Sequence, residues 1–87
     1  MSLIDVLKRC RELSQASHDS VWSSTGVPEI VAILDRGIDA LERGAEVDRD
    51  GLKLLFAPTG ALQETSMDNG WADEYLLLSA EFDRLIQ

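Results

Sequence analysis

Residues 56–71 read FAPTGALQETSMDNGW, and the punctuation inside them decides how the chain divides. Pro58 lacks an amide hydrogen and disfavours helix at the residue before it, so the leucine-rich segment LKLLFA must end near Phe56 or Ala57. Thr59 then offers a hydroxyl to the orphan amides of a new helical turn. Residues 60–67 suffice for two turns, with Leu62 and Met67 expected to face inward. Asn69-Gly70 is a stop signal, because both residues tolerate the left-handed conformation that closes a helix. Asn69 equally suits the cap of a following helix that opens on Trp71. The stretch predicts a short helix pinched between two corners, a rigid elbow.

Two readings of that elbow follow. Thr59, Gln63, Glu64, Ser66, Asn69 and Trp71 form a candidate binding site of polar groups beside helix N-termini. A pocket lined by Trp71, Tyr75 and the elbow would then take a small molecule. Alternatively, the proline, glycines and asparagine only turn the chain, which turn chemistry explains without a ligand. The second reading is the simpler.

On the C-terminal side of the elbow, Trp71, Tyr75, Leu78, Phe82 and Leu85 step by four, three, four and three, with Leu76 and Ile86 widening the stripe. On its N-terminal side, Leu52, Leu54, Leu55 and Phe56 are too crowded for one narrow stripe and predict a short central helix. Asp48 is its expected N-cap, with Val47 and Leu52 as a hydrophobic staple. Further upstream, Thr25, Gly26 and Pro28 announce a helix whose inner face is Ile30, Val31, Leu34, Ile38 and Leu41, widened by Ile33. Gly37 predicts a close helix–helix approach, and Gly44 an end.

Ser2 and Asp5 look like a capped start for the first helix. Leu3, Val6, Leu7, Cys10, Leu13 and Ser14 are its inner stripe, and it should run to about Ser17. Between the first two helices, residues 18–26 break the period; Trp22 there is either a lid on the core or an exposed recognition aromatic. No alternating apolar run signals a strand. The expected fold is all-α: one domain, a compact bundle of four main helices plus one short helix between the third and fourth.

The run LLFAPTGALQETSMDNGW followed by ADEYLLLSAEFD resembles a small family of uncharacterised bacterial proteins. Their shared pattern is LFAPTGxLQExS, then NGW, then an acidic-aromatic-leucine helix. The likeness runs from Leu54 to about Phe82, under half of the chain. It implies a bacterial source and a domain of unknown function, and it carries over no functional residue.

Composition bounds the function. The 87 residues carry sixteen acids against eight bases, a net charge of −8. The imbalance is graded: three acids and three bases lie in residues 1–26, five and two in 27–47, eight and three in 48–87. No basic residue stands between Lys53 and Arg84, whereas Glu64, Asp68, Asp73, Glu74, Glu81 and Asp83 do. Phosphate recognition needs the opposite sign, so nucleic acid is excluded as a partner. No apolar run approaches the ~20 residues of a membrane span, and there is no signal peptide. With one cysteine, Cys10, and hence no internal disulfide, the expected location is cytoplasmic.

Catalytic and metal-binding patterns are missing. Aligning Glu46, Asp48, Asp50 and Gly51 with a calcium loop places Ala57 where the bidentate glutamate is required. Cys10 and His18 are eight residues apart, about 12 Å along a helix, too far for a dyad. One histidine and one cysteine make no zinc set. Asp73-Glu74 and Glu81-x-Asp83 are paired carboxylates, but on solvent-facing positions unsuited to acid–base work.

The sequence therefore points to a non-enzymatic interaction module with no cofactor. Its acidic face, Glu64, Asp68, Asp73, Glu74, Glu81 and Asp83, is expected to bind a basic protein partner, and Trp22 is a further candidate contact. Small acidic proteins that inhibit a basic toxin, as immunity proteins do, share this size and charge, which is an analogy only. The alternatives are the small-molecule site at the elbow and a homodimer with Trp22 or Trp71 at the seam.

Overall fold

The computed structural model describes residues 1–21 and 23–86. Trp22, read above as a lid or a recognition aromatic, lies outside the described residues. Among the described residues five helices follow one another: α1 (Leu3–Gln15), α2 (Val27–Glu42), α3 (Arg49–Leu55), α4 (Ala61–Asp68) and α5 (Ala72–Leu85). No strand occurs among the described residues, and the all-α expectation holds. The bundle measures 35 × 22 × 20 Å. Among the described residues no helix is long and apolar enough to cross a membrane.

Local chemistry sets most helix boundaries. Ser2 and Asp5 form a reciprocal capping box at the start of α1, each amide bonded to the other's side chain at 3.2 Å. Pro28 stands in the first turn of α2, where an amide hydrogen is not needed. Asp48 caps α3 by accepting from the Gly51 amide at 3.0 Å. At the end of α4, Gly70 takes φ +82° and the Trp71 amide reaches back to the Ser66 carbonyl at 3.0 Å. That is the left-handed closure expected of Asn69-Gly70.

The core forms where the inward stripes meet. Val6, Leu7 and Cys10 of α1 and Ile30 and Leu34 of α2 are completely buried. α1 and α2 make the most extensive helix pair, and α5 packs on α1 and α4. Gly37 permits the predicted close approach, since a methyl group there would lie 3.1 Å from Leu7 Cδ1. Phe56 stacks on Phe82 with ring centres 3.9 Å apart, and Trp71 meets Tyr75 edge-on at 6.3 Å. An aromatic column from three segments thus pins α5 to the end of α3.

Several expectations fail, each for a geometric reason. α3 has only seven residues, fewer than the eight of α4. Leu52, Leu55 and Phe56 take its inward positions, which turns Leu54 out to 74% exposure. Met67, expected inside, is 58% exposed; Leu62, Thr65 and Ser66, at three- and four-residue steps, occupy the inward face of α4 instead. Leu76 does not widen the inner stripe of α5, because it stands a quarter-turn from Tyr75 and is 62% exposed. Thr59 is not the N-cap of α4. Gly60 is, without a side-chain cap, and Thr59 sits at φ +60° with its hydroxyl donating to the Pro58 carbonyl.

Candidate functional site

At the elbow, most polar groups are engaged in holding the chain. The Thr59 amide donates to Gln63 Oε1 at 2.8 Å, and the Ser66 hydroxyl, fully buried, donates to the Gln63 carbonyl at 2.7 Å. Asn69 is a clamp. Its Nδ2 donates to the carbonyls of His18 and Thr65, both at 2.9 Å, while its Oδ1 accepts from the His18 amide at 3.0 Å. It does not cap α5, whose first turn follows Trp71 with no side-chain cap. The Trp71 indole N–H donates to Ser17 Oγ at 2.9 Å and the ring is buried, which removes it from any dimer seam. Of the six candidate elbow residues, only Glu64 has a side chain without a partner among the described residues.

An open groove of about 650 Å³ does run between the elbow and α5, walled by Lys53, Pro58, Gln63, Leu76 and Asp83. Trp71 does not line it. Its floor of Phe56, Tyr75, Phe82 and Ile86 is at most 5% exposed, because these rings are already packed on one another. Little apolar surface remains there for a small molecule to cover.

The six acids read as one face are distributed differently. Glu74 is gripped by Arg9 of α1, through Nε at 2.5 Å and Nη2 at 2.9 Å. That two-pronged hydrogen bond holds the Glu74 carboxyl below its ordinary pKa and keeps Arg9 firmly protonated. Glu81 is paired with Arg84 one turn on, at 2.6 Å. The absence of neighbouring cations expected from the sequence is thus corrected by Arg9 across the bundle and Arg84 along the helix. Asp68 accepts from Ser20 Oγ at 2.6 Å, Asp83 stands on the groove wall, and Asp73 is exposed with no ion-pair partner among the described residues.

A different acidic region emerges from the packing. Two long stretches of the chain hold no lysine or arginine: residues 12–35 and 54–83. The second is the longer and carries six acids; the first carries four, Glu12, Asp19, Glu29 and Asp35. The fold lays the loop after α1 along α4 through Ser17–Trp71, His18–Asn69 and Ser20–Asp68. The two cation-free stretches are thereby joined. Asp19, Glu64 and Asp68 at this corner have no ion-pair partner among the described residues, and Asp19 accepts instead from the Val27 amide at 2.7 Å. On α1 and α2, by contrast, Lys8, Arg11 and Arg43 hold Glu42, Asp35 and Asp39.

The remaining reactive groups are placed for structure. Cys10 is buried completely, and burial, helped by the charge of Glu74, pushes its thiol up to about 12. It stays protonated and packs as a small hydrophobe. Burial likewise raises the Tyr75 phenol, whose hydroxyl donates to the Phe56 carbonyl at 3.2 Å. Among the described residues, no three His, Cys, Asp or Glu side chains converge as metal ligands. No protein-family model, curated protein or solved structure matches this chain.

Proposed function

We propose that this protein is a non-enzymatic interaction module whose acidic corner, Asp19, Glu64 and Asp68, binds a basic protein partner. The observation that carries the reading is the docking of two cation-free stretches, which concentrates carboxylates that no arginine or lysine neutralises. Like charges held together oppose the compact state, and a cationic surface relieves that repulsion as it docks. The field of a chain of net charge −8 also attracts such a partner before contact and speeds encounter. An inhibitor of a basic enzyme or toxin is one form such a module takes. The small-molecule reading is weaker, because the groove by the elbow has a floor already sealed by its own aromatic packing.

Affinity capture from extracts of the source cells tests the proposal. A basic protein should be retained at low salt and released at about 0.5 M, where exposed charges are screened beyond a few ångströms. Glu64→Lys combined with Asp68→Asn, which leaves an acceptor for Ser20, should lower its association rate and its retention. Partners held equally well by the variant and at high salt overturn the reading.

A further inference from the structure

α5 carries a second organised face. Tyr75, Leu78 and Phe82 point into the core, and on the opposite side of the helix lie Asp73, Leu77, Ala80 and Arg84. All four are exposed, Leu77 by 72%, and Leu76 flanks them at 62%. Neighbouring exposed leucines on one helix are a candidate for contact with another chain, whereas a single exposed leucine is not.

The order of this stripe is what identifies its occupant. Its steps are four, three and four, a spacing that reads the same from either end. We propose that two copies of this chain pair through it, with their α5 helices antiparallel about a two-fold axis. In that register Asp73 of one copy faces Arg84 of the other at both ends, and Leu77 faces Ala80 on both sides of the axis. The interface is isologous, as a two-fold dimer requires. The small Ala80 lets the helix axes approach while Leu77 fills the space beside it.

At the two ends of the stripe, the charges suit a second copy better than a uniformly cationic helix. Asp73 has no ion-pair partner among the described residues. Arg84 reaches Glu81 Oε2 with Nε at 3.1 Å and Nη2 at 2.6 Å, leaving Nη1 for another carboxylate. A lysine-rich helix would satisfy Asp73 and be repelled by Arg84; a second α5 satisfies both. The proposal uses none of the residues of the acidic corner and stands independently of the function proposed above. Fourteen residues of helix extend about 21 Å, and one face of a helix about 10 Å wide covers on the order of 200 Å², short of a standard interface of ~800 Å² per partner, so association should be concentration-dependent.

Sedimentation velocity over a concentration series is the test, with melting by circular dichroism as a control on folding. The wild-type chain should convert from monomer to dimer as concentration rises. Asp73→Arg places two arginines opposite each other at each end, and Arg84→Asp two aspartates; each should weaken the dimer at least about tenfold. Mixed in equal amounts, the two variants regain both attractive pairs and should form a 1:1 heterodimer. That arm is decisive, since mixing does not repair a folding defect. Leu77→Glu should abolish dimerisation without lowering the melting temperature measured at concentrations where the wild-type chain is monomeric. A wild-type chain that stays monomeric into the millimolar range, a dimer indifferent to both reversals, or a mixture that remains monomeric overturns the proposal.

Discussion

The elbow and the outer face of α5 are opposites in what shows on the surface and what does not. The elbow holds the least ordinary residues of the chain, and almost all its polar groups turn inward or bond to neighbouring backbone. α5 looks like a plain leucine-rich helix, yet it leaves Leu76, Leu77, Asp73 and part of Arg84 facing solvent. Distinctive local chemistry is here a sign of chain turning. Surface left available for contact is found among commonplace residues, because three-dimensional packing needs only one side of a helix.

Substitutions in the two regions should separate accordingly. The largest effect is expected at Trp71, where the elbow meets α5. Trp71→Ala removes a ring packed on Tyr75 and a hydrogen bond to Ser17, and should cost about 3–5 kcal/mol in chemical denaturation. A loss below about 0.5 kcal/mol would remove Trp71 from the core. Next comes Asn69→Ala, which deletes two bonds joining the end of α4 to the first loop and one to Thr65 within α4, and should cost about 2 kcal/mol. Hydrogen exchange at the His18 amide sharpens that measurement: it should accelerate in the variant, and unchanged protection would show that Asn69 is not the clamp. The smallest effect belongs to α5. Leu77→Gln keeps helix propensity and leaves solvent-facing space unchanged, so stability measured in dilute solution should stay within about 0.5 kcal/mol of the parent. A substantial loss there would mean that Leu77 is part of the fold, and the contrast between the two regions would collapse.

Much of the helical plan was legible because its signals are local. The Ser2–Asp5 box, the Asp48 cap and the Asn69-Gly70 stop act within a few residues of themselves, and the chain realises all three. Met67 and Leu76 were misplaced because hydrophobicity alone does not say which side of a helix the core occupies. Thr65 and Ser66, hydroxyl residues that a hydrophobic stripe passes over, are fully buried in the place expected for Met67. Thr59 departs from its expected capping role because it is itself left-handed, which carries its hydroxyl away from the α4 amides and onto the Pro58 carbonyl.

The candidate acidic site shows the same division more sharply. The net charge of −8, the positions of the acids, the stretches without cations and the caps, stops and helix periods all follow from the order of residues. Pairs one turn apart, such as Glu81 with Arg84, follow from helix period, but the charges that meet across the bundle depend on packing. Packing brought Arg9 to Glu74 across 65 residues and Ser20 to Asp68 across 48, so one expected binding acid became an ion-pair partner and the loop that carries Asp19 joined an acidic helix. The physical reason is range: capping and periodicity are set by neighbours along the chain, whereas the partner of a charge or the exposed side of a helix is set by whichever segment folds against it.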